Sequence, residues 1–217
     1  MSLALVTART LQPIDLAAAK LQARVDGTDE DALITALIVA AADEAEAIMQ
    51  RAILPQTWRV TADCFGQRPL GVGTPWFGDS AQLGASAPVY GTSYGLLLQR
   101  PTVTAVTSIK YVAEADGVLT TLDPSQYQLL VGNEFTARVV PAFGCTWPTT
   151  RAQPEAVQVD FVCGWPTVLA VPEGIKQWVC MRVKDLYDNR GAWSSGKKVE
   201  VNPFVDFMLD RYLAKSF

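Results

Sequence analysis

The sequence predicts an α+β protein: a helical frame, drawn from both ends of the chain, around a β-rich insertion. Three observations predict it. An alanine-rich amphipathic stretch opens behind Asp26-Gly27-Thr28-Asp29-Glu30-Asp31. A long middle of β-type segments closes on Val157 to Val162 and Gly164-Trp165-Pro166. A second helical segment begins after Pro172. On this division residues 11–54 and 171–217 form the helical core. Residues 55–170 form the inserted β-rich region, with a long glycine-rich loop at 66–95.

Pro13-Ile14-Asp15 opens the first helix. Asp15 suits the N-cap, and Leu16, Ala17, Ala18, Ala19, Lys20, Leu21 and Gln22 are good helix formers. Gly27 ends or follows this helix. Thr28 or Asp29 caps the second, whose acidic first turn suits the positive end of the macrodipole. The second helix is expected to run to about Ala52. Leu33, Leu37, Ala41, Ala45, Ile48 and Ala52 recur along one stripe, flanked by Ile34, Ile38 and Met49. Alanine on and beside the stripe permits close helix approach. The stripe reads as core, or as a surface that also packs against a neighbouring subunit.

Leu54-Pro55 stops the helix, and Thr57 to Ala62 alternates as a strand. From Gly66 to Gly95 no period is sustained, so this stretch reads as a long loop or loose hairpin. Leu96-Leu97-Leu98 and Val103 to Val112 restore the β signal, and Asp116-Gly117 marks a hairpin turn. Leu119 to Leu122, Tyr127 to Val131 and Ala137 to Val140 read as further strands. Asp123-Pro124-Ser125 and Gly132-Asn133-Glu134 supply the turns between them. Pro141 to Pro154 is irregular. Val157 to Val162 alternates as the last strand. Pro172 suits the first turn of a third helix, with its period on Ile175, Trp178, Val179, Arg182, Val183 and Leu186. A link over 192–202 leads to a C-terminal helix from Pro203 to about Ala214. Phe204, Phe207, Met208, Tyr212 and Phe217 supply much of its apolar surface.

Composition sets the limits. With 217 residues, 49% apolar and 18% charged, the chain is globular, as one large domain or two small ones. The net charge of −4 argues against general phosphate-backbone binding, which needs clustered Lys and Arg. The first residues have no basic run ahead of their short apolar stretch, so they do not read as a signal peptide. No apolar stretch has the length of a membrane span. Cys64, Cys145, Cys163 and Cys180 lack the spacing of a zinc or redox motif and read as small core or near-core residues. Cys145 and Cys163 could approach across strands, yet a cytosolic chain keeps them reduced.

The chain contains no histidine, which removes Ser-His-Asp and Cys-His systems and His-based metal sites. There is no Gly-x-Gly-x-x-Gly after a strand and no Walker-type loop. Asp26, Asp29, Glu30 and Asp31 are the densest acidic group, and helix capping explains them better than a metal does. No catalytic, cofactor or metal-binding residue is assigned. Trp76, Trp147 and Trp165 read as hairpin and core anchors or, less simply, as a sugar platform.

Several segments, in order, resemble the siphophage head–tail connector family, also called adaptor or head-completion proteins, found in tailed phages, prophages and gene transfer agents. Leu16 to Leu33 resembles its first helix, turn and second-helix start. Arg51-Ala52-Ile53-Leu54-Pro55-Gln56-Thr57-Trp58 resembles its helix-to-strand junction. Leu98-Gln99-Arg100-Pro101-Thr102-Val103 resembles its arginine-proline strand start, and Leu122-Asp123-Pro124-Ser125-Gln126-Tyr127 follows. Trp147-Pro148, Arg151, Pro154 and Val157 to Gly164 resemble its final β segment. Val171 to Gln177 and Tyr187-Asp188-Asn189-Arg190 resemble its third helix. The stretch from Gly66 to Gly95 is longer than the usual link.

The resemblance implies a non-enzymatic structural protein of the virion neck, present in host cytoplasm during assembly. About a dozen copies would form a ring between portal and tail. The ring would extend the DNA channel, pass genomic DNA without binding it specifically, and contact the portal protein and a tail-completion or stopper protein. Neither a membrane nor a cofactor is implied. Leu33, Leu37, Ala41, Ala45, Phe204, Phe207, Met208, Tyr212 and Phe217 are the expected subunit or portal contacts. Two other classes compete: a glycan- or receptor-binding β module of a virion, using the 66–95 loop and Trp147, and a carboxylate-dependent hydrolase.

Overall fold

A computed structural model describes residues 1–65, 95–133, 135–189 and 207–214. Apart from Gly95, the expected glycine-rich loop lies outside the described residues. So do Trp76, Glu134, the link over 192–202, Phe204 and Phe217.

Among the described residues three α-helices form one layer. In α1 (Leu16–Ala23) the Asp15 carboxylate accepts from the Ala18 N–H at 2.7 Å, as its position predicts. The helix closes on Arg24 in a left-handed conformation, φ 60°, so the turn comes before Gly27. α2 (Asp31–Met49) starts after Glu30, with no side-chain cap, rather than behind a capping Thr28 or Asp29. It stops at left-handed Gln50, short of the expected Ala52. α3 (Glu173–Asp188) begins after Pro172, where a missing N–H costs nothing. α2 packs on α3, and α1 lies against both. Their shared core holds Ile14, Ile34, Ile38, Met49, Ile53, Ile175, Trp178, Val179 and Leu209, residues from both ends of the sequence.

The strands in chain order are β1 (Ser2–Thr7), β2 (Gln56–Ala62), β3 (Leu96–Leu98), β4 (Val103–Val112) and β5 (Leu119–Thr121). β6 (Tyr127–Asn133), β7 (Thr136–Pro141) and β8 (Val157–Cys163) are the others among the described residues. They make a five-stranded antiparallel sheet, β1-β2-β8-β4-β5, and a three-stranded one, β3-β7-β6. β1 was not legible in the sequence. It is a mostly exposed edge strand whose pairing with β2 is long-range, so it carries little alternation of its own.

β8 shows the rule its sequence follows. Val157, Val159, Phe161 and Cys163 are buried, while Gln158, Asp160 and Val162 face outward. The inner residues meet Val60 and Ile109 of the same sheet and Leu96, Leu98 and Val139 of the other, forming a second apolar cluster. On the outer face Arg59 grips the Asp160 carboxylate with Nε at 2.6 Å and Nη2 at 2.9 Å. Phe65 stacks on Trp147 at 4.4 Å, so Trp147 anchors a loop and offers no free ring face on that side. Trp165 likewise packs against the helical core.

The two clusters meet at Arg51, which is fully buried. Its Nη2 donates to Thr102 Oγ1 at 2.7 Å and its Nη1 to the Tyr212 carbonyl at 3.2 Å. The guanidinium lies over the rings of Trp165, 4.7 Å from the centroid, and Phe135, 5.1 Å away. Nearby, the Glu46 carboxylate accepts from the Ile53 N–H at 2.9 Å, from Gln56 Nε2 and, at 2.8 Å, from Arg9 Nη1. Gly164 closes the junction with φ +113°, where a Cβ would collide with the Leu54 carbonyl.

Replacing Arg51 should therefore loosen several segments at once. Arg51→Met is expected to lower the unfolding free energy by about 3 kcal/mol, the worth of charge-assisted hydrogen bonds lost in a buried site. Urea titration measures this, with faster tryptic cleavage after Arg211 reporting release of the segment that Arg51 holds. An unchanged midpoint and unchanged cleavage would contradict the role.

Candidate assembly interface

α2 is apolar on two faces. The inner one, Ile34, Ile38, Ala41, Ala45 and Met49, is buried against the other helices. The expected stripe runs through Leu33, Leu37, Ala41, Ala45, Ile48 and Ala52, flanked by Ile34, Ile38 and Met49; the observed centre is displaced toward those flanking residues. Ala41 and Ala45 thus lie inside this chain, Leu37 packs partly against the same core, and Leu33 is 37% exposed. Val39 and Ile48 are exposed at 37% and 43%. With Ala36, Ala40 and Ala47 they line an outer surface of small and branched apolar groups. Asp43, whose side chain is 62% exposed, shares this outer surface.

Ion pairs hold α2 in place. Arg182 of α3 donates to Glu44 at 2.7 Å, and that bond raises the guanidinium's pKa further. Arg9 reaches Asp43 at 2.6 Å and Glu46 at 2.8 Å, with its own side chain nearly enclosed. The acidic turn before α2 is also engaged. Asp31 pairs with Lys20 at 2.6 Å, and Tyr187 donates its hydroxyl to Glu30. Among the described residues no group of acidic or cysteine side chains is placed to hold a metal, and no helix is long and apolar enough to cross a membrane.

Of the expected C-terminal helix from Pro203 to about Ala214, residues 203–206 lie outside the described residues. Within the described residues Phe207 is helical, and a single 3₁₀ turn, Asp210–Tyr212, follows before the chain extends. Leu209, absent from the expected contacts, is its anchor and is fully buried. Met208 and Tyr212 pack beside it on the helical core, whereas Phe207 is 68% exposed. The Ala214 N–H donates to the Met49 carbonyl at 2.9 Å, satisfying one of the groups that α2's last turn leaves open. The structure thus brings Met208 and Tyr212 onto the layer that contains Ala41 and Ala45, and leaves Leu33 and Phe207 on the surface. Arg51 and Glu46, missed as organising residues, had one signal: they are the charged groups in the run from Ala45 to Leu54, which apart from Gln50 is otherwise apolar.

All four cysteines are free thiols; Cys163 and Cys180 are buried, Cys64 and Cys145 half-buried. Burial pushes the Cys163 thiol up to about 12, against the partial pull of the Arg100 guanidinium. Arg100 itself is lowered by burial and lies over the Trp58 ring at 4.2 Å.

The neutral thiol is the form the fold favours. Its contribution is fully present below the free thiol's value of 9.0 and declines as the pH rises toward about 12. Stability measured by urea is therefore expected to fall between those values, with a smaller fall in Cys163→Ala. At pH 8 an aromatic disulfide reagent should label Cys64 and Cys145 and spare Cys163 until urea unfolds the chain. Rapid native labelling of Cys163 would contradict this.

No protein-family model and no curated protein matches the sequence. Solved structures do match its fold. A chain from the neck of an empty GTA particle, computed with C6 symmetry, superposes with a TM-score of 0.69 at 20% identity, covering 100% of this chain and 97% of that one. A chain from the virion of a native gene transfer agent (GTA) particle gives 0.69 at 21% identity with the same coverage. A chain from the neck of a native GTA particle, computed with C12 symmetry, gives 0.63 at 18% identity, again covering 100% and 97%. The mixed α+β fold described above is, over its whole length, the fold of these neck and virion chains.

Proposed function

We propose that this protein is a structural subunit of the neck of a phage-like particle, and that it acts as the head–tail connector, or adaptor, between portal and tail. The observation that carries the reading is the likeness of fold over 100% of the chain to chains of GTA necks and virions. The ordered resemblance of sequence segments to the connector family points the same way. Those necks were computed with six- and twelve-fold symmetry, which suits a component repeated around an axis. About a dozen copies would then form a ring through a heterologous interface whose rotation closes.

In this reading the helical layer, built from 11–54 and 171–217, is the frame, and the 55–170 region is inserted in it. The outer face of α2, with Leu33 and part of Leu37, packs between subunits. Ala41 and Ala45 shape that helix from within. Phe207, with Phe204 and Phe217, reaches the portal while Met208, Leu209 and Tyr212 hold the segment to its own subunit. The net charge of −4 lets duplex DNA pass without being held. The tail-completion or stopper protein docks on the opposite side of the ring. The protein carries out no chemistry and needs no cofactor.

Light scattering across concentration, with negative-stain images, tests the reading on the purified chain and on mixtures with portal rings of its own particle. Closed rings of about a dozen subunits, alone or on the portal, are expected. A strict monomer that ignores portal rings would overturn it.

A further inference from the structure

The three-stranded sheet carries a knob at one end and a groove at the other. Beyond Pro141, β7 runs into a tight turn in which the Cys145 N–H donates to the Ala142 carbonyl at 2.9 Å. Gly144 takes φ +79°, and Phe143 stands at the tip with its ring fully exposed. The Ala142 N–H also donates to the Gln126 carbonyl at 2.9 Å, tying this tip to the helical turn Pro124–Gln126. Asp123 caps that turn, accepting from the Ser125 hydroxyl at 2.6 Å and its N–H at 2.8 Å. Those two bonds hold the exposed carboxylate below its usual range and so keep it an anion. The knob is therefore an aromatic ring on a rigid turn with a fixed negative charge on the neighbouring turn.

At the other end, Leu97, Arg138 and Leu130 lie side by side across the three strands. With Val131, Gly132 and Thr136 they line a groove of about 690 Å³. Leu97, Leu130 and Val131 are exposed although apolar. Arg138 is exposed as well, and among the described residues it has no ion-pair partner. A groove with leucine walls and an exposed guanidinium fits an aromatic side chain accompanied by a carboxylate.

We propose that these two ends meet between copies of this chain, with Phe143 of one copy seated in the Leu97–Leu130–Val131 groove of the next and its Asp123 facing Arg138. Charge selects this pairing. A two-fold contact of groove on groove sets Arg138 against Arg138, and knob on knob sets Asp123 against Asp123; like charges opposed in an interface are unfavourable. Knob into groove places opposite charges together and buries the ring, the kind of anchor that dominates interfaces. Because the two ends differ and belong to one chain, the contact is head-to-tail and repeats from copy to copy. It deepens the ring reading and rests on it only for closure.

A photo-crosslinking experiment on the full chain tests it. Phe143→p-benzoylphenylalanine keeps an aromatic group at the tip and marks what it touches. Irradiation at roughly 1 mM protein, enough to populate even a weak contact, should give cross-links between copies that map to residues 97 and 130–131. Arg138→Glu, an exposed change, and Leu130→Asp should each lower that yield at least about fivefold. Cross-links elsewhere, none at all, or yields indifferent to both variants would overturn the contact. The two readings fail separately. Closed rings lacking these cross-links overturn the contact and leave the neck function. These cross-links in a protein that never closes a ring, alone or on a portal, overturn the neck function and leave the contact.

Discussion

A single buried cation joins the parts of this fold. Arg51 has no solvent to stabilise its charge, so every segment that approaches it must bring an oxygen or an aromatic face. Thr102 brings a hydroxyl from just before β4, Tyr212 a carbonyl from the C-terminal turn, and Trp165 and Phe135 bring rings. The constraint acts in both directions. Without these partners the charge could not be buried, and the charge adds polar contacts to segments that the core and the backbone hydrogen bonds also bring together. The left-handed backbone of Thr102 and the positive φ of Gly164 belong to the same convergence, for they turn the chain where the two clusters meet.

The second organising feature is the economy of α2. Its inner face is built from isoleucine, methionine and alanine, so α3 can approach closely while branched residues fill the remaining space. Its polar residues are used as struts rather than as solvated decoration. Glu44 holds α3, Asp43 and Glu46 hold Arg9, and Glu46 also takes up backbone and side-chain donors of the segment leading into β2. With its charges committed, the helix presents alanine, leucine and valine outward. Such a surface would suit the proposed ring, in which each copy hides one face against the next.

The β layers provide a different kind of surface. Both sheets are antiparallel, and the turns beside Tyr127 and Pro141, at one end of the smaller sheet, are held by local hydrogen bonds. Rigid turns make good contact points, because little conformational entropy is lost when a partner fixes them. In the proposed neck, the net charge of −4 would leave duplex DNA little to hold.

The sequence by itself determined the elements whose signals are local. Asp15 caps α1, the alternation of Val157, Val159 and Phe161 sets the inner face of β8, and Pro172 fixes the start of α3. It also determined what chemistry is out of reach, since no histidine is present. Tertiary structure decided the rest. Whether Leu33 or Ile34 faces inward depends on a rotation of α2 of about 100°, one residue's turn, and only the positions of α1 and α3 select it. β1 exists because β2 offers an edge to pair with, and its own residues are too exposed to show a period. Left-handed Arg24 and Gln50 end helices where no glycine announces it, because hydrogen bonds and packing around them outweigh the modest local cost. Arg51 looks like any helix-end arginine in the sequence. It becomes the centre of the molecule only when Thr102, Trp165 and Tyr212 arrive from far along the chain, a long-range condition that no local pattern encodes.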